Sequence, residues 1–165
     1  MPLNDALLPE YDREMALTRR VMEQIADTDL TWRPDEKSCT IGRLANHMAD
    51  LPAWSLAILE HSSFDLESFP HGRTDATSCA AVLELFDRNA AAARAALAMR
   101  TDGEYLARWT FRKEGRNVFS LPKAAVIRTM VMNHMIHHRG ELTVYLRLLG
   151  VPVLALYGPG EDDSA

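Results

Sequence analysis

The sequence predicts an all-α fold, a four-helix bundle with a long crossover between helices 2 and 3. Three observations predict it. Four stretches repeat apolar residues at three- and four-residue steps, the period of a helix buried along one face. Between the second and third stretches lie 16 residues, 61–76, with serines, a proline, a glycine and no sustained period. A link of that length is long for neighbouring helices and spans a bundle from end to end. Finally, 165 residues make a single domain, 1–165, large enough to bury a core without disulfide staples. A globin-like all-α fold is the alternative, and no haem-site pattern favours it.

The first helix is expected from Asp5 or Pro9 to Ala26, with Tyr11, Met15, Thr18, Met22 and Ile25 on one face. Asp27–Lys37 is rich in charge and turn formers and reads as a loop. The second helix runs from Thr40, its N-cap, to about Glu60, with a stripe from Ile41 through Leu44, Met48 and Leu51 to Ile58. Pro52 lies inside it and cannot donate to the Met48 carbonyl, so a kink or short break is expected there. The third helix, about Thr77–Arg100, is alanine-rich, which favours helix and permits close packing. Leu106, Trp109, Phe111 and Val118 around Glu114-Gly115 suggest a small hairpin. Ser120-Leu121-Pro122 marks the start of the fourth helix, which ends near Leu149 before Gly150 and Pro152. The acidic end, residues 161–165, is expected to fray.

Hydrophobic residues make up 47% and charged residues 25% of the chain, which excludes general disorder. A net charge of −5 gives a nucleic-acid backbone no long-range attraction, so no nucleic-acid partner is expected. No stretch approaches the roughly 18 apolar residues of a membrane span, and the first ten residues do not resemble a secretory signal. No membrane partner and a cytoplasmic location follow as expectations. Cys39 and Cys79 match neither a disulfide framework nor a CxxC motif and read as two buried thiols.

The six histidines carry the chemistry. His134 and His138 are four apart on the fourth helix and project from one side, one turn apart. Such a pair bites one metal ion or, more often, sits at a surface or in a core. The zinc-protease motif is excluded, because Met135 stands where its glutamate belongs. His47 lies mid-helix among Leu44, Met48 and Leu51. It is either a satisfied core histidine or a third ligand facing the pair. Three histidines with open positions are the usual catalytic zinc set, and imidazoles equally suit nickel, iron or copper. His137 diverges from His138 by about 100° and is assigned no ligand role. His61 and His71, in the crossover, are expected to be solvated.

Glu141 falls nearly in line with both histidines of the pair. It is a fourth ligand, a general base, an acceptor that orients an imidazole, or a surface glutamate paired with Arg147 or Arg139. Trp54 or Tyr145 would line a pocket beside the site.

Trp32-Arg33-Pro34, Thr40-Ile41-Gly42 through His47, His134-x-x-x-His138-Arg139-Gly140, and Tyr145–Pro152 with Tyr157-Gly158-Pro159 resemble the DinB-like (YfiT-like) bundle family. The resemblance covers nearly the whole chain in order and spacing. It implies a four-helix bundle, one divalent metal (zinc, nickel or iron) on His47, His134 and His138, and a homodimer through helix faces. Glu141 departs from the family's usual glutamine. As a ligand it would lower a site charge of about +2 to about +1 and weaken the ion as a Lewis acid. Some relatives are thiol-dependent transferases and isomerases that use mycothiol or bacillithiol. The resemblance thus implies a metal-dependent enzyme acting on a small molecule. The first expectation is transfer of a low-molecular-weight thiol to an electrophile, with Glu141 as the catalytic residue. A metal-dependent hydrolase is one alternative. A non-enzymatic stress-response or binding protein, its metal clamping helix two to helix four, is the other.

Overall fold

The computed structural model describes residues 1–68 and 75–158. Helix α1 spans Leu3–Met22 and carries Pro9 within it. Helix α2 spans Ile41–Asp50, a single 3₁₀ turn follows at Leu51–Ala53, and α3 spans Trp54–Glu60. Pro52 sits in that turn, so the missing proline N–H divides the second helix where the sequence predicts a break. Helix α4 spans Cys79–Ala98 and the short α5 spans Asp102–Leu106. The last long helix opens as α6, Lys123–Val126, widens into π-helical turns over Ile127–Asn133, and continues as α7, His134–Leu148. No helix among the described residues is long and apolar enough to cross a membrane.

The predicted N-cap at Thr40 forms, and Ser78, which the sequence reading did not single out, caps α4. The Thr40 hydroxyl accepts from the Arg43 amide at 3.1 Å, and Ser78 accepts from Ala81 at 3.1 Å, each satisfying an otherwise orphaned amide. The first helix stops at Met22, short of Ala26, and Asp27–Asp29 forms a 3₁₀ turn. An Asp27 carboxylate oxygen then accepts from the Cys79 amide at 2.6 Å, tying the end of α1 to the start of α4.

Directions follow from which residues meet. Asp12 pairs with Arg94 and Arg19 with Asp87, so α1 and α4 are antiparallel. Glu10 meets Arg128 and Glu14 meets Arg139, so α1 runs parallel to the last helix. Lys123 Nζ donates to the Leu59 carbonyl while His47 meets His134, so α2–α3 runs against the last helix. The Ala76 amide donates to the Gly42 carbonyl, and Asn89 Nδ2 donates to Ala49, so α2 and α4 are parallel. Two parallel consecutive helices require a connection that returns along the bundle, which is what residues 61–76 supply. The close approach at the start of α2 needs a glycine: a Cβ on Gly42 would lie 3.0 Å from the Leu30 carbonyl oxygen.

The all-α expectation is corrected by a small three-stranded sheet, β1 Ser63–Asp65, β2 Arg108–Lys113 and β3 Arg116–Pro122, in the order β1-β2-β3. The hairpin β2–β3 is the predicted one. Glu114 and Gly115 both take positive φ, 51° and 70°, the two-residue turn that matches strand twist. The crossover contributes β1, paired parallel to β2. Its Asp65 and Glu67 carboxylates accept from the Gly115 and Glu114 amides at 2.9 Å. Ser120-Leu121-Pro122 end β3 and do not begin the helix, which starts one residue later. Proline is tolerated there because β3 is an edge strand of the sheet. Trp109, Phe111 and Phe119 stack across the hairpin with ring centroids 5.4–6.3 Å apart, and they pack against the bundle core.

Among the described residues, Arg139 and Glu14 are the buried charged side chains, and they pair. The Arg139 guanidinium donates to a Glu14 carboxylate oxygen at 2.7 Å, to the Glu14 carbonyl and to Thr18 Oγ1, both at 3.2 Å. It also meets the Tyr157 hydroxyl, which donates to Glu14 at 2.7 Å. This network joins α1, α7 and the segment after α7. Arg139 is therefore no partner of Glu141. Both cysteines are free and half-buried, less deeply placed than the sequence suggested; burial raises both thiol pKa values. His61 is exposed, whereas His71 and the acidic end lie outside the described residues.

Candidate metal centre

His47 projects from α2 one turn before the break at Pro52, and His134 and His138 project from the first two turns of α7. The structure brings the three together. His138 Nε2 lies 2.8 Å and His47 Nε2 lies 3.5 Å from His134 Nε2. The ring centroids are 4.6–5.1 Å apart, and each residue offers one nitrogen within 4.8 Å of the others. All three are half-buried. Burial first, then the charges of His138 and His134, depresses the His47 pKa to about 4. Burial likewise lowers that of His134. Both groups are held neutral near pH 7, the form that ligates a metal.

The second nitrogen of the His138 ring is engaged: Nδ1 lies 2.5 Å from Glu141 Oε2. A ring that donates from Nδ1 presents a lone pair at Nε2. A backbone hydrogen bond at Met130, one turn earlier in the π-helical segment, acts on the His134 ring. Such a donor set fits a divalent ion, and wide π turns recur at functional sites.

Glu141 sits behind His138 with Oε2, while its Oε1 is 3.8 Å from Nε2 of the exposed His137. The structure thus brings Glu141 to the cluster's outer edge. His137, His138 and Glu141 form a second, more open group of close ligand atoms. The Trp54 ring stands edge-on to His47 and His134 at 6.2 and 6.1 Å. Tyr145 is buried, edge-on to Trp32 at 5.7 Å. The sequence reading missed Met130, Phe64, Trp109 and Phe111 as neighbours of Trp54, with which they line one cavity. The alternation Trp109-x-Phe111 marked one face of a strand, but nothing local showed that this face covers α3.

A model of the DinB family matches residues 1–165. The chain is 23% identical to the uncharacterized protein YrdA of Bacillus subtilis (strain 168), over 98% of this chain and 92% of that protein. Its fold is similar to that of a DinB-like protein from Bacillus cereus ATCC 10987, with a TM-score of 0.72 at 21% identity over 94% and 98% of the two chains. It is also similar to YfiT from Bacillus subtilis, described as a probable metal-dependent hydrolase with an unusual four-helix bundle topology. There the TM-score is 0.64 at 16% identity over 90% and 88%. With whole-length coverage and three histidines converging in a helical fold of this topology, the chain belongs to the DinB family.

Proposed function

We propose that the protein is a divalent-metal-dependent enzyme that activates a small nucleophile against a small electrophilic substrate. His47, His134 and His138 hold one zinc, nickel or iron ion. The observation that carries this reading is the convergence of the three imidazoles through Nε2, with His138 Nδ1 engaged by Glu141. When bound, the ion supplies Lewis acidity, which makes water or a thiol a better nucleophile near neutral pH. The chain does the rest. Glu141 holds the His138 ring in one tautomer and orientation. Its second oxygen, 3.8 Å from the exposed His137, is the base we assign to the nucleophile's proton. Trp54 walls the cluster from the sheet side.

Water is the favoured nucleophile, supported by the likeness to YfiT. A low-molecular-weight thiol attacking the same class of electrophile is the alternative, implied by the family's thiol-dependent members. The homodimer belongs to the same proposal. Val144 and Leu148, exposed and four residues apart on α7, are the apolar surface it would cover.

Metal content per chain tests the reading, on untagged protein beside the triple variant His47→Ala, His134→Ala, His138→Ala. About one ion in the parent and none in the variant is the expected result. No ion in the parent after soaking with zinc, nickel and iron would sink it. Hydrolysis of activated esters and amides with and without added thiol then separates the two nucleophiles. A loss of melting temperature matching the loss of metal, with no turnover in the parent, would favour a clamp between α2 and α7.

A further inference from the structure

On the exposed side of α7 a second set of ligand atoms converges. His137, His138 and Glu141 each offer one atom within 4.8 Å of the others. His137 and Glu141 are four residues apart, so their side chains leave the helix on one side, one turn apart. His137 Nε2 lies 3.8 Å from Glu141 Oε1, and the His137 ring stands edge-on to that of His138 at 5.0 Å. The other carboxylate oxygen, Oε2, is 2.5 Å from His138 Nδ1. Glu141 therefore divides its oxygens. One holds a ring of the three-histidine cluster, and the other faces an exposed imidazole. Two ligands of one zinc ion, with bonds of about 2.0–2.2 Å, stand about 3.3 Å apart at a tetrahedral angle. A small turn of His137, whose side chain is 66% exposed, closes the 3.8 Å separation to that distance.

We propose that His137 Nε2 and Glu141 Oε1 form a second, weaker and solvent-open site for a divalent transition-metal ion, joined to the three-histidine cluster through the Glu141 carboxylate. The carboxylate supplies negative charge, and the imidazole supplies the nitrogen that zinc, nickel and copper favour. His138 keeps both of its contacts, Nε2 with His134 and Nδ1 with Glu141 Oε2. An ion on Oε1 occupies the oxygen assigned to the nucleophile's proton. Metal in excess therefore opposes the reaction that the first ion supports. That consequence rests on the proposed function. The site itself does not, because neither His47 nor His134 belongs to it.

Equilibrium dialysis of the untagged protein against rising free zinc reads the two sites. A first zinc ion should bind tightly and a second at least about 100-fold more weakly, because it gains two protein ligands in place of three. His137→Ala changes an exposed side chain, so it should fold as the parent does, lose the second ion and keep the first. The double variant His47→Ala, His134→Ala should do the reverse and keep one ion at the weaker affinity. A single zinc ion per chain in the parent, unchanged in His137→Ala, overturns the inference and leaves the metal reading standing. A second ion that persists in His137→Ala is adventitious binding elsewhere and overturns it too. A folded double variant that takes up no zinc also overturns it, since the two groups would then make one site. If the parent lacks the tight ion but holds one that His137→Ala removes, the metal reading falls and the second site stands.

Discussion

His138 and Arg139 are adjacent on α7, and one helical step of about 100° sends them to opposite environments. Arg139 is fully buried and closed on itself: Glu14, Thr18 and Tyr157 meet its guanidinium. His138 is half-buried, satisfied at Nδ1 by Glu141, and turned at Nε2 toward His134 and His47. One side of the helix satisfies a charge completely. The other gathers three imidazoles and leaves them facing one another. The difference teaches which polar group holds the fold and which awaits a ligand, although both carry nitrogen-rich side chains at neighbouring positions.

The comparison breaks most readily at Arg139. Removing it with Arg139→Ala leaves the Glu14 carboxylate buried without its cation, which should cost about 3–5 kcal/mol in urea denaturation. Glu14→Leu combined with Arg139→Met removes both charges and should recover most of that loss. The folded variants should keep the parent's metal content. If a folded Arg139 variant loses the metal, the two sides of α7 are not independent, and the contrast fails.

A smaller effect is expected at Glu141. Glu141→Gln keeps an oxygen for His138 Nδ1 and removes the charge. As an orienting acceptor, Glu141 should then cost about 10-fold to 100-fold in zinc affinity, measured by competition with a chromophoric chelator. If Glu141 were itself on the ion, the loss would exceed that range. The same substitution restores the residue that the resembling family commonly carries, so it also shows what the departure does in this chain.

What the sequence made legible was local or periodic. The helix faces, the Thr40 cap, the break at Pro52 and the turn at Glu114-Gly115 each follow from a few neighbouring residues. The pairing of His134 with His138 follows from helical spacing, and His47 stood out as a polar residue on an apolar stripe. What stayed hidden depends on distant partners. Ser63-Phe64-Asp65 is too short to show alternation, and it becomes a strand only because β2 offers it an edge. Ser120-Leu121-Pro122 carries a helix-start signal that β2 overrides by pairing. Arg139 and Glu14 lie 125 residues apart, and neither sits in a pattern that announces burial. The position of Glu141 behind His138, with Arg139 committed elsewhere, needed coordinates for the same reason.

The smallest effect concerns protons, and it lies at the histidine that faces α7 from α2. His47 is held neutral by burial, with a pKa near 4 against about 6.5 in an unfolded chain. Above pH 6.5 both states are neutral at this residue, and it contributes nothing to pH dependence. Between 6.5 and 4 the unfolded chain takes up a proton that the folded chain refuses. Acid therefore destabilises the metal-free protein through His47 over that window. Because the ring is only partly buried, water screens the effect and keeps it modest. Melting curves of chelator-treated parent and His47→Gln, taken from pH 7 to pH 4, should diverge, with the parent falling faster. Curves that stay parallel would mean that His47 is solvated in solution. The desolvation that weakens the metal-free fold in acid would then be missing, and with it the property that keeps this imidazole free of a proton and open to an ion.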